Sequence, residues 1–320
     1  MRKRRLTRMP PPTPAWPALH AATARDAVAR WPLFVAGREA GCVAKRHLPL
    51  LERHAPWAEV RAGSVHVDHP DDGAFAQAHA ALRAAGAILA WRDEIFPLFD
   101  PESLTALARI ERAATRFWGT LTLGAHANGF VRGADGRPSH LWIARRSPNK
   151  ATDPGLLDNL IGGGVPAGQT PHEALVREGF EEAGLSPAQV LGATAGSLLR
   201  LARDIPEGYQ QEWLYSYDLE LPAGLVPGNQ DGEVAEFALL AVDEVRRIVQ
   251  QSAEMTTDAA LVTIDFLLRH GLLDDATARL QRLRLPAATG PWAGSWASPA
   301  TPGRDEGGET PACDPWRALP

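Results

Sequence analysis

The chain reads as a mixed α/β protein in two folded parts, and three observations predict it. Beyond about Thr120, short apolar segments separated by turn residues read as strands: "TLTLGAHANGFVRG", "SHLWIARRS", "LDNLIGG", "GSLLRLARDI" and "QEWLYSYDLEL". One strongly patterned helix, "TPHEALVREGFEEAG", is set among them, and "VDEVRRIVQQ" and "TTDAALVTIDFLLRHGLL" add helices at the end. Ahead of residue 120 the order differs, with a hairpin followed by helices, which predicts a separate α+β unit.

In the first part, "PLFVAGREAGCVAKRHLPLL" places two apolar runs around a Gly-Arg-Glu-Ala-Gly turn and leads into a helix. "FAQAHAALRAAGA" and "DPESLTALARIERAATRFWG" read as helices, the second with Asp100 as N-cap before Pro101. In the second part, Thr170 caps the central helix, Pro171 takes its first position and Gly184 stops it. Ala174, Leu175 and Phe180 are its candidates for burial. The expected boundaries are a basic arm at 1–16, an α+β domain at 17–119, a second domain at 120–275 and an extension at 276–320. Both ends read as disordered, although the extension carries Trp292, Trp296 and Trp316.

Composition removes several classes of function. With 45% hydrophobic and 22% charged residues, the 320-residue chain can bury a substantial core. A formal net charge of −5 gives no reason to expect nucleic acid. Cys42 and Cys313 cannot build a disulfide framework or a cysteine zinc site, which fits a reducing cytoplasm. No apolar run follows the basic start and no stretch is long enough to span a membrane. A cytoplasmic protein without membrane partners is therefore expected; the oligomeric state is not readable.

The central helix carries Glu178, Glu181 and Glu182 at i, i+3 and i+4, on one face, next to Arg177. Like charges at this spacing repel by a few tenths of a kcal/mol per pair, so a cation should compensate. The glycine-rich segment before it lets the backbone turn tightly and brings a carbonyl close. Hard oxygen ligands suit Mg2+ or Mn2+, and Mg2+ favours sites that add substrate phosphates.

The segment Gly163–Leu185 resembles the Nudix box, G-x5-E-x7-R-E-U-x-E-E-x-G-U with U aliphatic. Gly163, Arg177, Glu178, Glu181, Glu182, Gly184 and Leu185 match. Gln169 stands where the early Glu is expected, and Gly179 replaces the aliphatic residue at a cost to the helix of about 1 kcal/mol relative to alanine. The resemblance implies a Nudix α/β/α sandwich that hydrolyses a small-molecule diphosphate. It also implies Glu178, Glu181 and Glu182 as catalytic residues that hold Mg2+ with the Gly163 carbonyl. A wider similarity, from Trp16 to Leu273, is to the Nudix branch related to thiamine pyrophosphokinase proteins. It rests on "LWIARRSPNKATDPGLLDNLIGGG", "YSYDLELPAGLVPGNQDGEVAEF" and "IERAATRFWGTLTLGAHANGFV". That branch implies thiamine diphosphate, or its oxy- and oxo-analogues, as substrate, with the monophosphate and phosphate as products.

Arg145, Arg146 and Lys150, just before the glycines, are candidates with Arg177 for binding the diphosphate. Adjacent strand residues point to opposite faces, so one of the two arginines is expected at the site. Trp118, Phe130, Trp142, Trp213 and Tyr215 are candidates for stacking on substrate rings, and His126 in "HANG" for contacts to a pyrimidine. The general base is open between Glu181, Glu233 and Glu236. Nucleoside diphosphate derivatives, and a phosphometabolite-binding module without turnover, are the alternative readings. "HVDHPDD" (His66, Asp68, His69, Asp71, Asp72) invites a second metal site, against its ordinary reading as a solvated turn. An isopentenyl-diphosphate isomerase resemblance fails for want of a cysteine at the glycine loop.

Overall fold

The computed structural model describes residues 16–273 together with Leu283 and Arg284; the arm before Trp16 and the three tail tryptophans lie outside the described residues. Helix α1 (Pro17–Ala21) is followed by the expected hairpin of β1 (Arg30–Val35) and β2 (Arg38–Ala44), then α2 (Leu48–His54), β3 (Glu59–Arg61), β4 (Ser64–Val67) and α3 (Asp72–Ala84). These strands form a four-stranded sheet in the order β2-β1-β4-β3. Next come β5 (Ile95–Phe99), β6 (Ala106–Glu111) and the short α4 (Ala114–Trp118). One core covers this unit, with Trp118, Phe75, Phe117 and Trp57 at van der Waals distance in edge-on and stacked pairs. Buried Trp118 needs an acceptor for its indole N–H and finds it in Nε2 of His79 at 2.8 Å.

The rest is built on long strands: β7 (Leu121–Arg132), β8 (Pro138–Arg146), β9 (Leu157–Asp158) and β10 (Ile161–Gly164) precede helix α5 (Pro171–Ala183) and α6 (Pro187–Val190). Then follow β11 (Thr194–Ile205), β12 (Gly208–Glu220), β13 (Val234–Ala241), α7 (Val242–Gln251) and α8 (Thr257–Arg269). The sheet order is β11-β12-β7-β8-β13, with β12 parallel to β7 and the other pairs antiparallel. Opposite β12, the other edge of β7 serves two partners: Gly124–Ala127 pairs with β10 and Gly129–Arg132 with β8. The sheet therefore splits beside the glycines.

Alternation along the strands sorts side chains into two cores, one on each face. Leu121, Leu123, Ala125 and Ala127 of β7, with Trp213 and Tyr215 of β12, pack under Ala174 and Leu175 of α5. On the other face Leu199, Leu201 and Leu214 meet α7 and α8. This is the α/β/α sandwich expected from the sequence. Trp16 and Leu19 join this second core, and the Trp16 N–H donates to the Gln250 carbonyl at 2.9 Å, so α1 packs on the helices of the large sheet.

One expected helix is overturned. "DPESLTALARIERAATRFWG" forms a turn, strand β6 and only then the short α4, because Ala106–Glu111 pairs antiparallel with β5. Asp100 caps this hairpin turn, accepting from the Glu102 N–H at 3.1 Å and the Ser103 hydroxyl at 2.9 Å. The tertiary pairing outweighs an alanine-rich helical pattern. Strands β3, β4, β5 and β13 are further elements that the sequence reading does not anticipate. The "HVDHPDD" run divides among local tasks: Asp71 caps α3 through the Ala74 N–H at 2.7 Å, Asp68 pairs with Arg61 at 2.6 Å, Asp72 pairs with Arg109 at 2.8 Å and His66 meets Ser64 at 2.8 Å.

Two histidines of the first unit are held uncharged. Burial pushes His79 down to about 4, and burial with the neighbouring Arg46 charge pushes His47 to about 4. The unfolded chain protonates both near 6.5. Below that pH the unfolded state takes protons that the folded state refuses, so stability present above 6.5 is lost as pH falls towards 4. Thermal midpoints measured from pH 7.5 to 4 should fall mainly in that window. A His47→Phe variant, which keeps the stacking on Phe117 (ring centroids 4.8 Å apart), should flatten part of the fall. An unchanged slope in the variant contradicts this.

Candidate active site

Helix α5 is fixed at both ends by its own sequence. The Thr170 hydroxyl accepts from the Glu173 N–H at 3.2 Å and the Glu173 carboxylate accepts from the Thr170 N–H at 2.8 Å, a reciprocal capping box. Gly184 ends the helix in the left-handed region, at φ +66°. Ala174, Leu175 and Ala183 anchor it to the sheet. Phe180, expected in the core, is 55% exposed because it lies on the solvent side of the helix.

That docking buries two of the three carboxylates. Glu178 and Glu182, one turn apart, are 7% and 5% exposed, while Glu181 is half-buried. Their neighbour is β10, whose three consecutive glycines have no room for side chains. A Cβ on Gly163 would stand 2.1 Å from Glu178 Oε1, one on Gly162 would meet the His126 ring at 2.8 Å, and one on Gly164 would meet Phe96 at 2.6 Å. The strand is thus a wall one backbone thick, with α5 carboxylates behind Gly163 and a cavity in front of Gly162 and Gly164. The Gly162 N–H donates to Glu182 Oε2 at 2.9 Å.

Burial raises Glu178, against the charges of Arg177 and Arg112. Burial also pushes Glu182 up to about 8, with Lys150 opposing and Glu178 and Asp158 adding repulsion. Two side chains supply the compensating positive charge. Arg177 donates to Glu178 at 2.9 Å and to Glu181 at 2.7 Å. Lys150, whose side chain is 8% exposed, reaches Glu182 at 3.4 Å and forms a closer ion pair with Glu233. Burial would raise Glu233, but the Lys150 hydrogen bond and charge, helped by Arg92, hold it below the usual carboxylate range.

Both departures from the box have structural reasons. Gln169 Oε1 accepts from Arg177 Nε at 3.3 Å, so the residue in the early Glu position still ties the loop to the helix. Gly179 lies against α6, where a Cβ would meet Val190 Cγ2 at 2.8 Å and Ile161 Cδ1 at 3.1 Å.

The sequence candidates divide sharply. Arg146 lines the cavity, pinned to Asp158 at 2.7 Å and to the Thr152 carbonyl at 2.9 Å. Arg145 points the other way, to Glu236 at 2.6 Å on the exposed edge, which takes both residues away from the site. Trp118, Phe130, Trp142, Trp213 and Tyr215 are all buried in the three cores and none lines the cavity, a correction to their reading as ring-stacking residues. The aromatic rings at the cavity are Phe96 and Tyr209. His126 lies on β7 and lines the cavity. Sequence reasoning missed Arg112 and Arg116, which reach it from the first unit, and Glu212 and Asp258. Glu212 shares a face of β12 with Leu214 and Ser216, but alternation alone does not say that this face borders the cavity.

Among the described residues, no three His, Cys, Asp or Glu side chains converge on one point as a metal cage. The pair Glu178 and Glu182 offers buried hard oxygens, with Arg177 and Lys150 now supplying the positive charge that a cation would bring. That donor set fits Mg2+ or Mn2+, with the remaining positions left to substrate oxygens and water.

Gly179→Ala tests the close packing. Helix propensity favours the variant by about 1 kcal/mol, but overpacking costs about 1–3 kcal/mol. Denaturant titration should give a net loss near 1 kcal/mol. A gain in stability would contradict the contact with Val190.

A family model described as NUDIX domain matches residues 122–259. Nudix hydrolase 24, chloroplastic, from Arabidopsis thaliana is 39% identical over 209 residues, 65% of this chain and 57% of that protein. Nudix hydrolase 20, chloroplastic, from the same organism is 38% identical over 188 residues, 59% of this chain and 50% of that protein. The chain spans about half the length of these two relatives. A Bordetella avium (strain 197N) protein named shikimate dehydrogenase (NADP(+)) is 31% identical over 220 residues, 66% of this chain and 71% of that protein. Its name suits a different site: dinucleotide folds place their glycines in the turn from a parallel strand into a helix, whereas these glycines form an antiparallel strand against α5. Residues 122–259, which hold the glycine strand and the acidic helix, are therefore a NUDIX domain.

Proposed function

We propose that this chain is a Mg2+-dependent Nudix hydrolase that cleaves the diphosphate of a thiamine-type compound, thiamine diphosphate or an oxidised analogue, to the monophosphate and phosphate. The observation that carries the hydrolase reading is the pair of buried carboxylates, Glu178 and Glu182, set against Gly162–Gly163 with Arg177 and Lys150 as counter-charges. The thiamine part rests on the resemblance from Trp16 to Leu273 and on a cavity lined by acidic groups, Asp158, Glu212 and Asp258, and by the edges of Phe96 and Tyr209, whose rings Arg112 and Arg30 overlie.

In this reading Glu178, Glu182 and the Gly163 carbonyl hold Mg2+ (or Mn2+), with Glu181 at their edge. The bound ion supplies charge neutralisation of the diphosphate and a more acidic water. Lys150 and Arg177, relieved of their carboxylates, are placed to take phosphate oxygens, Arg177 in two-pronged fashion. Arg112, whose field already reaches Glu178, adds positive charge from the first unit. Glu181 suits the role of general base better than Glu233, because Lys150 and Arg92 lower the basicity of Glu233. Glu236 is engaged with Arg145 on the exposed edge.

A nucleoside diphosphate derivative is the second reading, favoured by the same aromatic and acidic lining. A binding module without turnover would find its support in the two departures from the box, Gln169 and Gly179, and both have packing or hydrogen-bond reasons to be there.

Product analysis by mass spectrometry with Mg2+ tests the proposal, using thiamine diphosphate, its oxo- and oxy-analogues, ADP-ribose and nucleoside diphosphates. The expected outcome is monophosphate from the thiamine compounds, with Glu182→Gln slower by about a hundredfold or more, at the upper end of what lost metal-site support costs. Cleavage of nucleotides alone would discard the thiamine reading, and no cleavage at all would overturn the hydrolase.

A further inference from the structure

The hydrolytic reading leaves part of the cavity unused. Glu212, on the inward face of β12, and Asp258, in the first turn of α8, both line it. One amide joins them: Gln210 Nε2 donates to Glu212 Oε2 at 2.9 Å and to Asp258 Oδ2 at 3.3 Å. Its orientation is fixed, because Arg203, which can only donate, reaches Gln210 Oε1 at 2.9 Å. Asp258 Oδ1 remains buried with no hydrogen-bond partner among the described residues.

His126 adds a third group. It is 6% exposed and lines the same cavity. Nδ1 lies 3.1 Å from Asn159 Oδ1, and Asn159 spends its Nδ2 on Asn128 at 3.1 Å and Thr263 at 3.0 Å. The asparagine oxygen can only accept, so Nδ1 carries the hydrogen. In the neutral ring Nε2 is then an acceptor. Burial and the neighbouring Asp258 raise Glu212, with the Gln210 hydrogen bond and the nearby His126 and Arg116 opposing. Arg116, the cation beside Glu212, stands 4.0 Å from Glu207. A buried acceptor left open, as Asp258 Oδ1 is, costs free energy unless a ligand satisfies it.

We propose that His126, Glu212 and Asp258 form a specificity wall that reads the exocyclic group of the substrate's heterocycle, taking the N–H donors of an aminated ring. This rests on the cavity being the substrate chamber of the hydrolase. It assigns ring selection to β7, β12 and α8, and diphosphate chemistry to α5 and the loops around it.

The test measures binding of thiamine monophosphate, which carries an amino group on its pyrimidine, and of its oxy counterpart, which carries an oxo group. Titration calorimetry on the full chain without Mg2+ keeps turnover out of the result. Asp258→Asn and Glu212→Gln each replace acceptor oxygens by an N–H donor. The ratio of amino-ring to oxo-ring affinity should therefore shift towards the oxo-ring by about tenfold or more in at least one variant, the scale of one buried charged hydrogen bond. A ratio within about twofold of wild type in both variants, or a shift the other way, overturns the wall, as does a wild type that binds neither ring. Parallel hydrolysis assays with Mg2+ separate the two claims. Turnover with an unshifted ratio removes the wall alone, whereas a shifted ratio without turnover in wild type removes the hydrolase alone.

Discussion

The site depends on the absence of side chains along Gly162–Gly164. A strand of the large sheet has to run between a helix carrying buried carboxylates and a cavity, and it can do so only if it is one backbone thick. Any Cβ on Gly163 would occupy the position of the Glu178 carboxylate, and any on Gly162 the position of the His126 ring. Alternating register sends successive residues to opposite faces, so the three glycines keep both faces open at once. The split of β7 between β8 and β10 places this wall where the sheet opens.

Electrostatics follows from that geometry. Bringing α5 against the wall desolvates Glu178 and Glu182, and the fold answers with Arg177 and Lys150 instead of with apolar packing. Such pairs add little net stability when the cost of desolvation is counted. Their value lies in holding charged groups where a cation and a diphosphate can exchange with them. Lys150 lies between Glu182 and Glu233, and Arg92 ties Glu233 to the first unit. The first unit also lends Phe96, Arg112 and Arg116 to the cavity. The two parts of the chain thus build one chamber.

Much of this was legible in the sequence where the signal is local. The caps of α5, its acidic face and the long strands rest on short-range rules, and the fold obeys them. The helix expected around Ala106–Arg112 failed because strand pairing with β5 is a long-range term that no local window contains. The aromatic candidates failed for a related reason: alternation shows that Trp213 and Tyr215 share a face but not which face holds the cavity. Alternation sends Arg145 and Arg146 to opposite faces, and only the register of β8 against β9 and β13 decides which one turns inward. Glu212 and Asp258 come together from residues 46 positions apart, beyond the reach of any motif.

The most direct measurement is a Mn2+ titration followed by electron paramagnetic resonance, on the wild type and on Glu178→Gln and Glu182→Gln. If the α5 carboxylates and the glycine wall form a divalent-cation site, the wild type should bind Mn2+ and each variant should bind it at least about tenfold more weakly. Equal affinity in all three proteins, or no binding in the wild type, would contradict the account at its centre.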